Sequence, residues 1–203
     1  MEFHIENTEV YGLNKAIIAS GNAMRTVMDD NTEEPSEKDK KRAKNLGLTG
    51  TGEGHDNFLN GVVVQFDLYA PLYMWKQIQR YHFIDFISSQ STMHRLTKFD
   101  IASQCVSDVD PKILERYQYL LDVYNNGVLP EEQNSLWRTL VASLPSGFVL
   151  GATMTTNYRQ LKTIYLQRKN HKLKEWHEFC KWCETLPSFK ELCIKEDKGY
   201  ENE

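Results

Sequence analysis

The chain has 203 residues, 40% of them hydrophobic and 11% aromatic, with 24 basic and 28 acidic residues and a formal charge of −4. That supplies the core of one substantial domain without disulfide stapling, and the acidic balance excludes a general nucleic-acid coat, whose footprint is basic. No apolar run reaches the roughly 18 residues of a membrane span, and the acidic start Met1-Glu2-Phe3-His4-Ile5-Glu6 is not a secretory signal, so a soluble cytoplasmic protein without membrane or nucleic-acid polymer partners is expected.

Residues 9–28 read as a first helix, with Leu13, Ile17, Ile18, Ala19 and Met24 on or near one face. The stretch 29–54 reads as an exposed loop or insertion. It opens charge-dense and Pro-containing from Asp29 to Arg42, then runs through Gly47-Leu48-Thr49-Gly50-Thr51-Gly52-Glu53-Gly54-His55. Those glycines could cradle a phosphate with backbone amides, but they follow no strand and lack the Gly-Lys-Ser/Thr ending of a P-loop, so a flexible loop is the better reading. Gly61 to Tyr69 is the clearest strand, β-branched and then alternating. Pro71 opens an aromatic-rich helix to about residue 87, Pro111 a second closed by Asn125-Asn126-Gly127, and Pro130 a third ending before Pro145. Gly147 to Met154 suits a short strand, Asn157 to Asn170 and His171 to Glu184 suit two helices, and the polar tail 196–203 is expected to fray. The pattern is one α+β domain over 1–203, helix-dominated, without repeats or an internal linker.

Charge is unevenly placed. No Asp or Glu occurs from Gln133 through Lys174, while Arg138, Arg159, Lys162, Arg168, Lys169, Lys172 and Lys174 all fall in that window. Such segregation suits either a solvated basic face or a place kept for an anion. Asn157 and Arg168 are eleven residues apart, about 1100° of helix rotation, and so share a face if the helix is continuous. Gln77 and Arg80, at i and i+3, suit the edge of a base beside a phosphate.

The four cysteines suit reduced thiols, and Cys180-Lys181-Trp182-Cys183, inside a helical pattern, reads as two ordinary helix cysteines. The six histidines show no metal-binding spacing, so no metal site is expected. No Gly-x-Ser-x-Gly elbow exists either, so any chemistry must come from a bound cofactor.

Three blocks carry a family likeness. Gly54-His55-Asp56-Asn57-Phe58 precedes the strand to Pro71 and then Trp75-Lys76-Gln77-Ile78-Gln79-Arg80. Leu144-Pro145 falls twelve residues before Asn157, and Asn157-Tyr158-Arg159 is followed by Arg168, His171 and Trp176. In this order and spacing they resemble the flavin-dependent thymidylate synthase (ThyX) family, over His55 to about Trp176. The resemblance implies a single ThyX-like domain, an antiparallel sheet packed with several helices, working as a homotetramer with FAD between subunits. It implies that reduced FAD carries hydride while a one-carbon unit passes from methylenetetrahydrofolate to C5 of deoxyuridine monophosphate, with NADPH as co-substrate. That agrees with the missing protein nucleophile.

By the same resemblance, Gln77 and Arg80 contact the nucleotide, and Arg80, Tyr81, His82, Asn57, Asn157, Arg159 and Thr163 contact FAD. Arg168 binds the uracil edge and is the catalytic residue. The family's Arg-His-Arg-x-x-Ser-x-Asn-Glu-x-Ser-x-Arg-Tyr signature is replaced by Arg80 to Met93, and the arginine expected before Pro145 is Val141. An insertion of one or two residues brings Ser91 and either His94 or Arg95 into the phosphate-binding roles. The alternatives are a related flavoenzyme acting on another pyrimidine nucleotide, for example by hydroxymethylation, and a catalytically silent flavin- or nucleotide-binding protein.

Overall fold

A computed structural model describes residues 1–28, 33–50 and 52–195. Strands β1 (His4–Tyr11), β2 (Val63–Pro71), β3 (Asp85–Ser89) and β4 (Val149–Asn157) form one antiparallel sheet in the order β1-β2-β4-β3. The helices are α1 (Leu13–Ala19), α2 (Glu37–Gly47), α3 (Leu72–Ile78), α4 (Thr92–Arg95), α5 (Ile101–Gln104), α6 (Pro111–Asn125), α7 (Pro130–Ala142), α8 (Tyr158–Arg168), α9 (Lys174–Thr185) and α10 (Phe189–Cys193). The expected α+β class, dominated by helices, is what forms.

Alternation built β2 as read: Val64, Phe66, Leu68 and Ala70 are buried while Val63, Gln65, Asp67 and Tyr69 are half-buried. The helices from Pro111 and Pro130 also form as expected, each with its proline in the first turn.

Three expectations are corrected. The helix expected over 9–28 is strand to Tyr11 and helix only from Leu13 to Ala19. Gly12 divides them: it has φ 76, and a Cβ there would stand 2.5 Å from the Gly61 carbonyl oxygen. The loop expected over 29–54 contains α2, started by Ser36, whose hydroxyl accepts from Asp39 N while Asp39 accepts from Ser36 N. Gly47 ends that helix against α10, its absent Cβ leaving room for the Leu192 carbonyl. The helix expected from Pro71 to 87 stops at Ile78, and its second half is a turn and β3. The frayed tail expected at 196–203 lies outside the described residues.

By contacts the chain divides into two compact units. The first (1–6, 67–81, 86–154) has a core of Leu96, Ile101, Cys105, Tyr117, Leu121, Leu140 and Phe148. In it the Tyr117 hydroxyl donates to Leu140 O at 2.8 Å and ties α6 to α7. The second (7–66, 82–85, 155–203) packs α8, α9 and α10 through aromatic edges: Tyr158 and Tyr165 on Phe189, and Trp176 and Phe66 on Phe179. Cys180 and Cys183 are buried there, and burial pushes the Cys180 thiol up to about 11, the behaviour of packed helix cysteines.

Candidate functional site

In the second unit four of the expected residues, Asn57, Asn157, Arg159 and Thr163, gather around the first half of α8. Asn157 is the last residue of β4, in extended conformation (φ −138, ψ 165), and its Oδ1 accepts from Gln160 N at 2.9 Å. It is therefore an N-cap rather than a helical residue, and spends its carbonyl on the helix while its amide nitrogen keeps two donors. Arg159 sits in the first turn. Its Nε donates to Asp56 Oδ1 at 3.0 Å, while its terminal nitrogens carry no hydrogen bond to any described residue. Thr163, one turn on, donates to Arg159 O at 3.1 Å, and Asn57, next to Asp56, is exposed. Asn57, Asn157, Arg159 and Thr163 thus fall at one end of one helix and the turn packed on it.

Arg168 closes α8. Nine residues beyond Arg159, about half a turn out of phase, it faces elsewhere. Its guanidinium lies 4.8 Å from the centroid of the Trp176 ring, which is fully buried. His171 packs edge-on against the same ring, and its Nδ1 accepts from Leu173 N at 3.1 Å. Burial, and then the neighbouring charge of Arg168, hold the His171 imidazole below its ordinary value. His82 is exposed in the turn before β3, where Thr156 Oγ1 donates to Phe83 O at 2.7 Å.

The other expected residues belong to the first unit. Trp75 Nε1 donates to Leu150 O at 3.2 Å and fixes α3 on β4. Gln77 lies in the last turn of α3 and Arg80 just past it, its amide on Gln77 O at 3.3 Å, with Tyr81 N on Ile78 O at 2.9 Å. The pair is adjacent as expected, but at a helix end rather than on a helix face. After β3, Ser91 caps α4, its hydroxyl accepting from His94 N at 3.2 Å and its carbonyl from Arg95 N at 3.0 Å. Ser91, His94 and Arg95 therefore share one turn.

Two partners escaped the sequence reading: Asp56, 1% exposed, and Lys162, 3% exposed. Their signal was available for Lys162, which follows Leu161 and sits four residues after Tyr158, on the apolar stripe of α8. A cleft of about 190 Å³ in the first unit is lined by Asp67, Tyr69, Ser88, Ser89, Gln90, Gly151, Ala152 and Thr153, none of them an expected site residue.

No protein-family model matches the chain, and no curated protein matches it in sequence. Solved structures do match. A flavin-dependent thymidylate synthase ThyX from Helicobacter pylori, complexed with FAD and dUMP, superposes with a TM-score of 0.68 at 17% identity, over 96% of this chain and 100% of that one. A second structure of the Helicobacter pylori enzyme with FAD and dUMP gives 0.67 at 18% identity, over 97% and 100%. A UMP/dUMP methylase, PolB from Streptomyces cacaoi, bound with 5-Br dUMP, gives 0.65 at 13% identity, over 94% and 91%. The chain has the fold of the flavin-dependent thymidylate synthases.

Proposed function

We propose that the protein is a flavin-dependent enzyme that transfers a one-carbon group from methylenetetrahydrofolate to C5 of deoxyuridine monophosphate, with NADPH as reductant and sites shared between subunits of a homotetramer. The observation that carries this reading is the cluster at the start of α8. Arg159 is held by its Nε with its terminal donors unspent, two residues after Asn157, whose side-chain amide nitrogen is also unspent. Two fixed donor groups on a fold whose neighbours bind FAD and dUMP suit the oxygen-rich edges of a flavin nucleotide.

FAD would be held by Asn57, Asn157, Arg159 and Thr163, with Arg80, Tyr81 and His82 contributing. When bound it supplies the hydride chemistry that no side chain here can provide. The chain's own work is binding and orientation. Gln77 and Arg80 present an amide and a guanidinium to the nucleotide, and Ser91 and Arg95 present a hydroxyl and a charge from one turn to its phosphate. Arg168 is the catalytic residue: its donors at the uracil edge favour loss of the N3 proton and so raise nucleophilicity at C5. Trp176 supports that guanidinium from behind, limiting its rotation.

The UMP/dUMP methylase among the structural neighbours favours a second reading of the same chemistry, on another pyrimidine nucleotide. Purified protein should show a flavin absorbance spectrum, and with a deuterium-labelled methylene donor it should label the methyl group of product from dUMP by mass spectrometry. Label recovered as a hydroxymethyl group, or from UMP alone, selects the second reading. A protein that neither contains nor takes up FAD overturns both. Arg168→Ala should abolish turnover while most flavin stays bound.

A further inference from the structure

Lys162 lies within the acid-free basic window, yet it is not available to an anion. Its ammonium donates to Gly47 O at 2.8 Å, Thr49 O at 2.9 Å and Asp56 Oδ2 at 2.8 Å, a full set for three N–H groups. Asp56, with both oxygens engaged, passes the constraint on: Oδ1 holds Arg159 Nε. An ion pair this deeply buried is a poor source of stability compared with apolar packing of the same volume, and Leu161, Ile164 and Tyr165 beside it show that α8 has apolar packing at hand. What the pair does supply is direction, because it ties the glycine-rich loop, the turn bearing Asn57 and the Arg159 guanidinium to a single point.

We propose that Lys162 is a positioning residue: acting through Asp56, it sets Asn57 and Arg159 in the geometry that receives the flavin. This rests on the reading that Arg159 and Asn57 hold FAD. The test is a double-mutant cycle on FAD affinity, with hydrogen exchange on the flavin-free protein alongside. Lys162→Met should weaken FAD binding about tenfold, the scale of one lost charge-assisted contact. Arg159→Ala should weaken it as much, and the double variant should lose clearly less than the sum of the two, the remainder being the part that runs through Asn57. A lysine that only stabilised the fold would give additive losses, and additive losses overturn the proposal.

In the flavin-free protein, Lys162→Met should speed amide exchange from Leu48 to Gly50 and from Gly52 to Asn57 while α9 keeps its protection. Unchanged exchange in those segments overturns the proposal independently of FAD. A parent protein that binds no FAD counts against the proposed function, and the exchange result then decides the role of Lys162. Should Lys162→Met fail to fold, Asp56→Asn is the second variant. It keeps an acceptor for Lys162, loosens Arg159, and should show the same non-additivity with Arg159→Ala.

Discussion

Two residues at the end of α8 show how local chemistry sets a pH dependence. His171 Nδ1 accepts a hydrogen bond from Leu173 N, which requires the neutral ring with its proton on Nε2. Protonation would remove that acceptor and place a cation near Arg168, which is why burial and that charge hold the imidazole low. The unfolded chain, with an ordinary histidine near 6.5, takes up a proton first as pH falls. Stability is therefore insensitive to His171 above about pH 6.5 and declines below it, levelling off under the folded-state value. Replacing His171 with Gln, which offers a non-titrating acceptor, should flatten the decline in thermal midpoint between pH 7 and 5. An unchanged slope would show that other groups set it. Arg168 and Trp176 were picked out in the sequence by the family resemblance, whereas the shared helix face expected for Asn157 and Arg168 does not form, because Asn157 is the N-cap. The buried Asp56 and Lys162 were not legible, because a charged pair joined across 106 residues leaves no local pattern beyond a lysine on an apolar stripe.

At the scale of elements, the three departures from expectation share one cause: the signals that start and stop a segment override its local composition. The segment forming α2 is so charged that it reads as loop, yet Ser36-x-x-Asp39 is a capping box, and the helix then buries only Ala43 and Gly47. Strand β3 is exposed at every residue, so it lacks the alternation that marked β2, and its aromatic neighbours made it look like a continuation of α3. The capping argument carries a measurable consequence. Hydrogen bonding from Ser36, and then Arg42, holds the Asp39 carboxyl down to about 2. Because the folded value is depressed, its contribution is complete above the ordinary 3.8 and is lost as pH falls through about 2. Ser36→Ala should cost about 0.5–2 kcal/mol of local helix stability. That loss would appear as faster amide exchange along α2 and as an Asp39 titration moved back toward the ordinary value. A titration that stays near 2 would credit Arg42 instead.

For the molecule as a whole, the fold is shared with a solved structure at only 17% identity and without a family-model match, so few residues carry the likeness. The alternation of β2 and the proline-started helices were readable because period-two burial and a first-turn proline are local signals. The average charge of −4 was uninformative, and even its local excess was only partly a ligand signal, since Lys162 and Arg159 meet Asp56 and Arg168 lies on Trp176. On the proposed reading stability and flavin binding rest on different residues, and one set of melts separates them. FAD at about a hundred times its Kd should add roughly 2.7 kcal/mol, raising Tm by about 5–11 °C for a chain of this length. Phe66→Ala, which opens a cavity against Phe179 and Trp182, should cost about 3–5 kcal/mol and lower Tm while leaving the FAD increment intact. Arg159→Ala should do the reverse: its side chain is one-third exposed and Asp56 keeps Lys162, so the flavin-free Tm should move little while a tenfold weaker affinity removes about half of the increment at the same FAD concentration. If Phe66→Ala removed the increment and Arg159→Ala spared it, the flavin would bind elsewhere than at the start of α8.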